Sequence, residues 1–113
     1  MKLRELASRV VIDPRKLTEY ALNSETPRGR HKAHVFERVL GYTRENYTQL
    51  LTQIETHAPN ADVHFHSQDE FGHRYTVDLQ IESPAGQQAT VRTGWFVPTG
   101  KDEVRLVTLW VKG

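Results

Sequence analysis

The feature that most restricts this chain is a change of hydrophobic period near residue 60. Before it, apolar residues recur at helical spacing; after it, they alternate. Leu17, Tyr20 and Ala21 follow the Asp13-Pro14 pair, where an aspartate cap with proline in the first turn starts a helix ending near Asn23. A second helix is expected over His31–Leu40, with Ala33, Phe36 and Leu40 on one side and Gly41 as its stop. Thr43 reads as the cap of a third, whose stripe is Tyr47, Leu50, Leu51 and Ile54, ended before Pro59.

Beyond Asn60, Tyr75, Val77, Leu79 and Ile81 alternate with polar residues, as do Ala89, Val91, Thr93, Trp95 and Val97. Turns are expected at Ser83–Gly86 and Thr99–Asp102, a last strand over Val104–Lys112 and a shorter one near Val63–His66. The expected architecture is α+β: about three N-terminal helices packed on a meander of three to four antiparallel strands. A chain of 113 residues is one domain, and residues 1–10 read as a loosely attached segment. The turns set a register in which Val77 opposes Thr93, Asp78 opposes Arg92, and Thr93 opposes Thr108.

Several function classes drop out. With no cysteine, disulfide scaffolds, thiol nucleophiles and Cys-ligated zinc are excluded. No apolar run is long enough to span a bilayer. The opening MKLRELASRVVID lacks the apolar core of a secretory leader, so a cytoplasmic location is expected. His64 and His66 share a strand face, but no third ligand is evident, and neither metal nor cofactor is expected.

The formal net charge of +1 hides an asymmetry. Residues 1–44 carry ten Lys/Arg and five acids, while the remainder carries five and nine. Much of the positive charge falls in Arg28-Gly29-Arg30-His31-Lys32-Ala33-His34, a loop running into a helix, where cations and free backbone N–H groups suit a phosphate. A solvated basic helix start fits the same residues. On the expected central strand, the Thr93 hydroxyl could bond that phosphate and Trp95 could stack on a base, with Gly94 between them allowing close approach. The pair equally fits a core threonine beside a core tryptophan. Arg74, opening another strand, is a candidate oxyanion clamp, or a partner of a loop acid.

Three groups of residues carry a resemblance. They are the Gly29, Lys32, Ala33, Phe36 segment with Leu40-Gly41-Tyr42 and Asn46; Arg74-Tyr75-Thr76-Val77-Asp78; and Thr93-Gly94-Trp95 with Leu106 and Thr108. Over about residues 11–113 the chain resembles a bacterial domain family of unknown function. That family occurs as small stand-alone proteins and as C-terminal tips of secreted polymorphic toxins. The layout is more distantly similar to the barnase–EndoU–colicin–RelE ribonuclease toxins. Colicin D carries a cationic histidine-containing helix segment and a hydroxyl-Gly-Trp segment, although here Lys32 stands where that segment has histidine.

The resemblance implies a metal-independent ribonuclease cutting tRNA or another RNA through its 2′-hydroxyl, with a cognate antitoxin or immunity protein. Lys32 and Arg30 would stabilise the phosphorane, and His31, then His34, would transfer protons. Thr93 would donate to the phosphate and Trp95 would frame the nucleotide. Arg28, Arg74 and Thr108 would support them. The alternative is a non-enzymatic antitoxin, immunity or adaptor domain that docks through the basic segment, with Tyr75 and Trp110 as anchors.

Overall fold

The computed structural model describes residues 1–112. A 3-10 turn at Leu3–Glu5 leads into β1 (Arg9–Val11) and a π-helical segment at Lys16–Ala21. Two α-helices follow, α1 (Arg30–Leu40) and α2 (Tyr47–His57), with a 3-10 turn at Ala58–Asn60. The chain then forms β2 (His64–Asp69), β3 (Gly72–Glu82), β4 (Gln88–Pro98) and β5 (Glu103–Val111). The α+β class stands, with five strands in the order β1-β5-β4-β3-β2 rather than three or four. β2 to β5 are the antiparallel meander, and β1 adds to the β5 edge in parallel, Val10 beside Val104. A three-residue strand is too short to show an alternating pattern, and it comes before both α-helices, so these do not open the fold.

The first ten residues are fastened rather than loose. Leu3 is fully buried, Leu3 N–H donates to Ala61 O at 3.0 Å, and Ser8 N–H donates to Asp102 Oδ1 at 2.9 Å. Phe36 and Leu40 of α1 and Leu50 and Ile54 of α2 share one core with Val77, Leu79, Ile81, Val91, Trp95 and Leu109 of the sheet. Gly41 ends α1 at φ 72°, as expected for a glycine stop. The third helix begins later than Thr43, because Asn46 bridges the turn, accepting from Thr43 N–H at 2.8 Å and donating to Gly41 O at 3.0 Å. Tyr42 then ties this linker to the sheet, its hydroxyl donating to Glu82 O at 2.6 Å.

The β3–β4 register is the expected one: Val77 faces Thr93 and Asp78 faces Arg92. Between β4 and β5 the register shifts at Gly94/Trp95, and Val107 is the extra residue. Thr108 therefore pairs with Gly94, and Thr93 with Leu109. The slip matters because one residue of register exchanges the faces. Thr93 and Leu109 are in the core, while Thr108 stands on the opposite face with Trp110 and Arg92.

On that face Asp78 takes two hydrogen bonds from Arg92, at 2.8 and 3.0 Å, and one from Lys112 at 3.2 Å. The Arg92 guanidinium is the main reason the Asp78 carboxyl is lowered to about 2 from 3.8, with Lys112 adding to it. A depressed carboxylate stabilises the fold above its unfolded pKa and loses that contribution as pH falls through the folded one. With partial exposure discounted, Asp78→Asn is expected to cost about 1 kcal/mol at pH 7. The difference from wild type should shrink as pH falls past 3.8 and be lost as it falls through about 2. Urea midpoints across that window check it.

Candidate functional site

The start of α1 meets the end of β5 along the stretch that β1 leaves unpaired, since β1 occupies only Glu103–Arg105. Lys32 reaches across this junction from the first turn of α1. Its Nζ donates to Tyr20 Oη at 2.5 Å and to Thr108 Oγ1 at 3.1 Å. Thr108 Oγ1 donates to Tyr20 Oη at 3.4 Å, closing a triangle. The ammonium lies 4.7 Å from the centroid of the Tyr20 ring and 5.3 Å from that of Trp110, a distance at which ring quadrupoles attract cations. Beside it is a groove of about 350 Å³ lined by His31, Lys32, Val35, Trp110 and Val111.

Two glycines make this junction possible. Gly29 has an ordinary φ of −93°, so its value is space. A Cβ there would stand 2.2 Å from Tyr20 O and 2.8 Å from Asn23 O. The α1 start thus lies directly on the π-helical segment, which carries Tyr20 to Lys32. At Gly94 a Cβ would come within 2.7 Å of the Thr108 methyl. What approaches this strand glycine is the side chain of Thr108 rather than a ligand.

The electrostatics favour an anion. No ion pair among the described residues involves Lys32, so no carboxylate neutralises it. An ammonium has three donors, and Tyr20 and Thr108 use two, leaving one for a ligand. The Lys32 hydrogen bond, followed by that from Thr108, lowers the Tyr20 phenol below its usual range, and the charge of Arg28 acts in the same direction. Among the described residues no group of three or more His, Asp or Glu is placed to hold a metal ion.

A family model described as a domain of unknown function, DUF6883, matches residues 2–113. The chain belongs to the DUF6883 family. Neither a curated protein nor a solved structure matches it.

The DUF6883 chain unites part of the set anticipated from its sequence. Lys32 and His31 line one groove, Thr108 is bonded to Lys32 beside it, and Arg28 is close enough to act on Tyr20. Thr93 and Trp95 are elsewhere: both are fully buried. The Thr93 hydroxyl donates to Val77 O at 2.8 Å and accepts the Trp95 indole N–H at 2.7 Å. The hydroxyl is spent on the core, and the indole has no open face for a base.

Arg30 and His34 leave the group for a geometric reason. At 3.6 residues per turn each lies about 160° from Lys32 around the helix, and both are exposed. Arg74 is occupied by Asp69 at 2.9 Å and by the Phe96 ring at 4.8 Å, nearer the β2 edge.

Two members were missed from sequence, Tyr20 as a site residue and Trp110 as a groove wall. Tyr20 sits in a helical stripe where the spacing reads as core. Its signal is the π-helical widening, which no residue pattern announces. Trp110 shares alternation parity with Thr108, so the two are found together once the extra residue at Val107 is known.

Among the described residues no helix is long and apolar enough to cross a membrane.

Proposed function

We propose that this DUF6883 domain is a metal-independent ribonuclease of the toxin kind, cutting tRNA or another RNA by attack of a 2′-hydroxyl on the adjacent phosphate. One observation supports this most: Lys32, in no ion pair among the described residues, is held by Tyr20 and Thr108 beside an aromatic wall, with His31 on the same groove. In that reaction the 2′-O–P bond forms as the P–O5′ bond breaks, giving a 2′,3′-cyclic phosphate and a 5′-hydroxyl end. Negative charge accumulates on the phosphorane, where a fixed ammonium of low mobility is most effective. His31 protonates the departing O5′. Trp110 offers a surface for the neighbouring base. A cell making such an enzyme needs a cognate antitoxin or immunity protein.

The test is expression in a bacterium together with cleavage of tRNA by the purified chain. Wild type should halt growth and leave cyclic phosphate ends. Lys32→Ala should be tolerated and cleave about 100-fold more slowly, the usual cost of one oxyanion-stabilising donor. A 2′-deoxy nucleotide at the cut position should block the reaction. Harmless wild-type expression with intact RNA overturns the reading.

A second reading is a non-enzymatic partner-binding domain. It is favoured by Phe65 and Phe71, which are 59% and 66% exposed on and just after the edge strand β2, since exposed aromatics are frequent interface anchors. Under it Lys32→Ala changes neither growth nor RNA, and Phe65→Ser abolishes partner capture.

A further inference from the structure

We propose that Tyr20 is the group that takes the proton from the attacking 2′-hydroxyl, with Lys32 holding it ready. The inference rests on the ribonuclease reading and deepens it, dividing acid and base work between His31 and a phenol.

The geometry is specific. Tyr20 Oη accepts two hydrogen bonds, from Lys32 Nζ at 2.5 Å and from Thr108 Oγ1 at 3.4 Å. Hydrogen bonds donated to an oxygen, with a cation at contact distance, favour its ionised form. Tyr20 as a residue is partly exposed, and the Lys32 ammonium bonded to its hydroxyl lines the groove. Among the described residues no carboxylate is paired with Lys32 to divert that charge. The lowered Tyr20 titration agrees with this placement.

The arrangement also has a structural cost: Gly29 is confined against Tyr20 O, where a Cβ would stand at 2.2 Å. A tyrosine that only filled the core would need neither the close backbone approach nor the ammonium at its hydroxyl. The other groups facing the phenol are Arg28, which adds positive charge, and the Trp110 ring across the ammonium.

The step balances as follows. The Tyr20 phenolate removes the 2′-hydroxyl proton as the 2′-oxygen bonds to phosphorus. The P–O5′ bond breaks, and O5′ leaves with a proton from His31. Tyr20 then returns its proton to water, and His31 takes one back.

The experiment uses the full chain with a single-stranded RNA oligonucleotide and with tRNA. Tyr20→Phe should cleave at least about 100-fold more slowly, the range of general acid–base groups, with far the larger part of the loss in kcat rather than in RNA Kd. Replacing Tyr20 by 3,5-difluorotyrosine, whose phenol is more acidic, should move the ascending limb of the pH–rate profile to lower pH. A packing role would not move that limb.

Wild-type cleavage with full activity in Tyr20→Phe overturns this assignment alone, as does a pH profile that difluorotyrosine leaves in place. No cleavage by wild type overturns the ribonuclease reading and this one with it.

Discussion

Trp95→Ala is expected to destabilise the domain by about 4 kcal/mol, a large fraction of the stability of an ordinary domain. The indole is fully buried, and its N–H is the donor that satisfies the Thr93 hydroxyl at 2.7 Å. Truncation therefore removes the largest buried side chain and the hydrogen bond that Thr93 Oγ1 accepts, while the Thr93 hydroxyl keeps its bond to Val77 O. Thr93→Val should cost about 1–3 kcal/mol, because the indole N–H is then buried without an acceptor. Denaturant titration of both variants checks this. The comparison with RNA binding is equally informative. Were Trp95 a stacking platform, its loss would weaken RNA affinity in the folded fraction; the burial predicts unchanged affinity there.

Gly29→Ala is expected to cost about 3 kcal/mol, at the upper end for an overpacked site, and to lower the thermal midpoint by roughly 10 °C. The obstacle is backbone: Tyr20 O at 2.2 Å and Asn23 O at 2.8 Å cannot rotate aside as a side chain would. Relief requires α1 to lift from the π-helical segment, which separates Tyr20 from Lys32. Two measurements should consequently move together, a lower melting midpoint by calorimetry and a Tyr20 phenol that titrates closer to an ordinary tyrosine. A variant with unchanged stability would contradict the close packing at this glycine.

Particular residues show what a linear reading reaches and where it stops. Asp78 opposite Arg92 followed from a turn count, because a tight hairpin at Ser83–Gly86 leaves no freedom of register. Lys32 followed from charge density beside a glycine. Thr108 was marked, but on the wrong face: its position depends on one extra residue at Val107, and nothing in Val-Arg-Leu-Val-Thr announces a bulge. Thr93 and Trp95 stay open between site and core in the sequence, because a hydroxyl two residues from an indole looks the same whether the pair serves a ligand or itself. Burial decides between those, and burial is a property of packing. β1 escaped notice because its only partner lies more than ninety positions away.

That last pairing sets an order in time. Tyr20 and Lys32 leave the ribosome before Thr108, Trp110 and the strand that receives Arg9–Val11. Contacts of such long span form late in folding, and a growing chain emerges from its N-terminus at a finite rate. A nascent chain thus carries the cation long before it carries the wall and the hydroxyl that orient it. The groove is therefore incomplete until Thr108 and Trp110 have emerged, and a product truncated before them cannot assemble it.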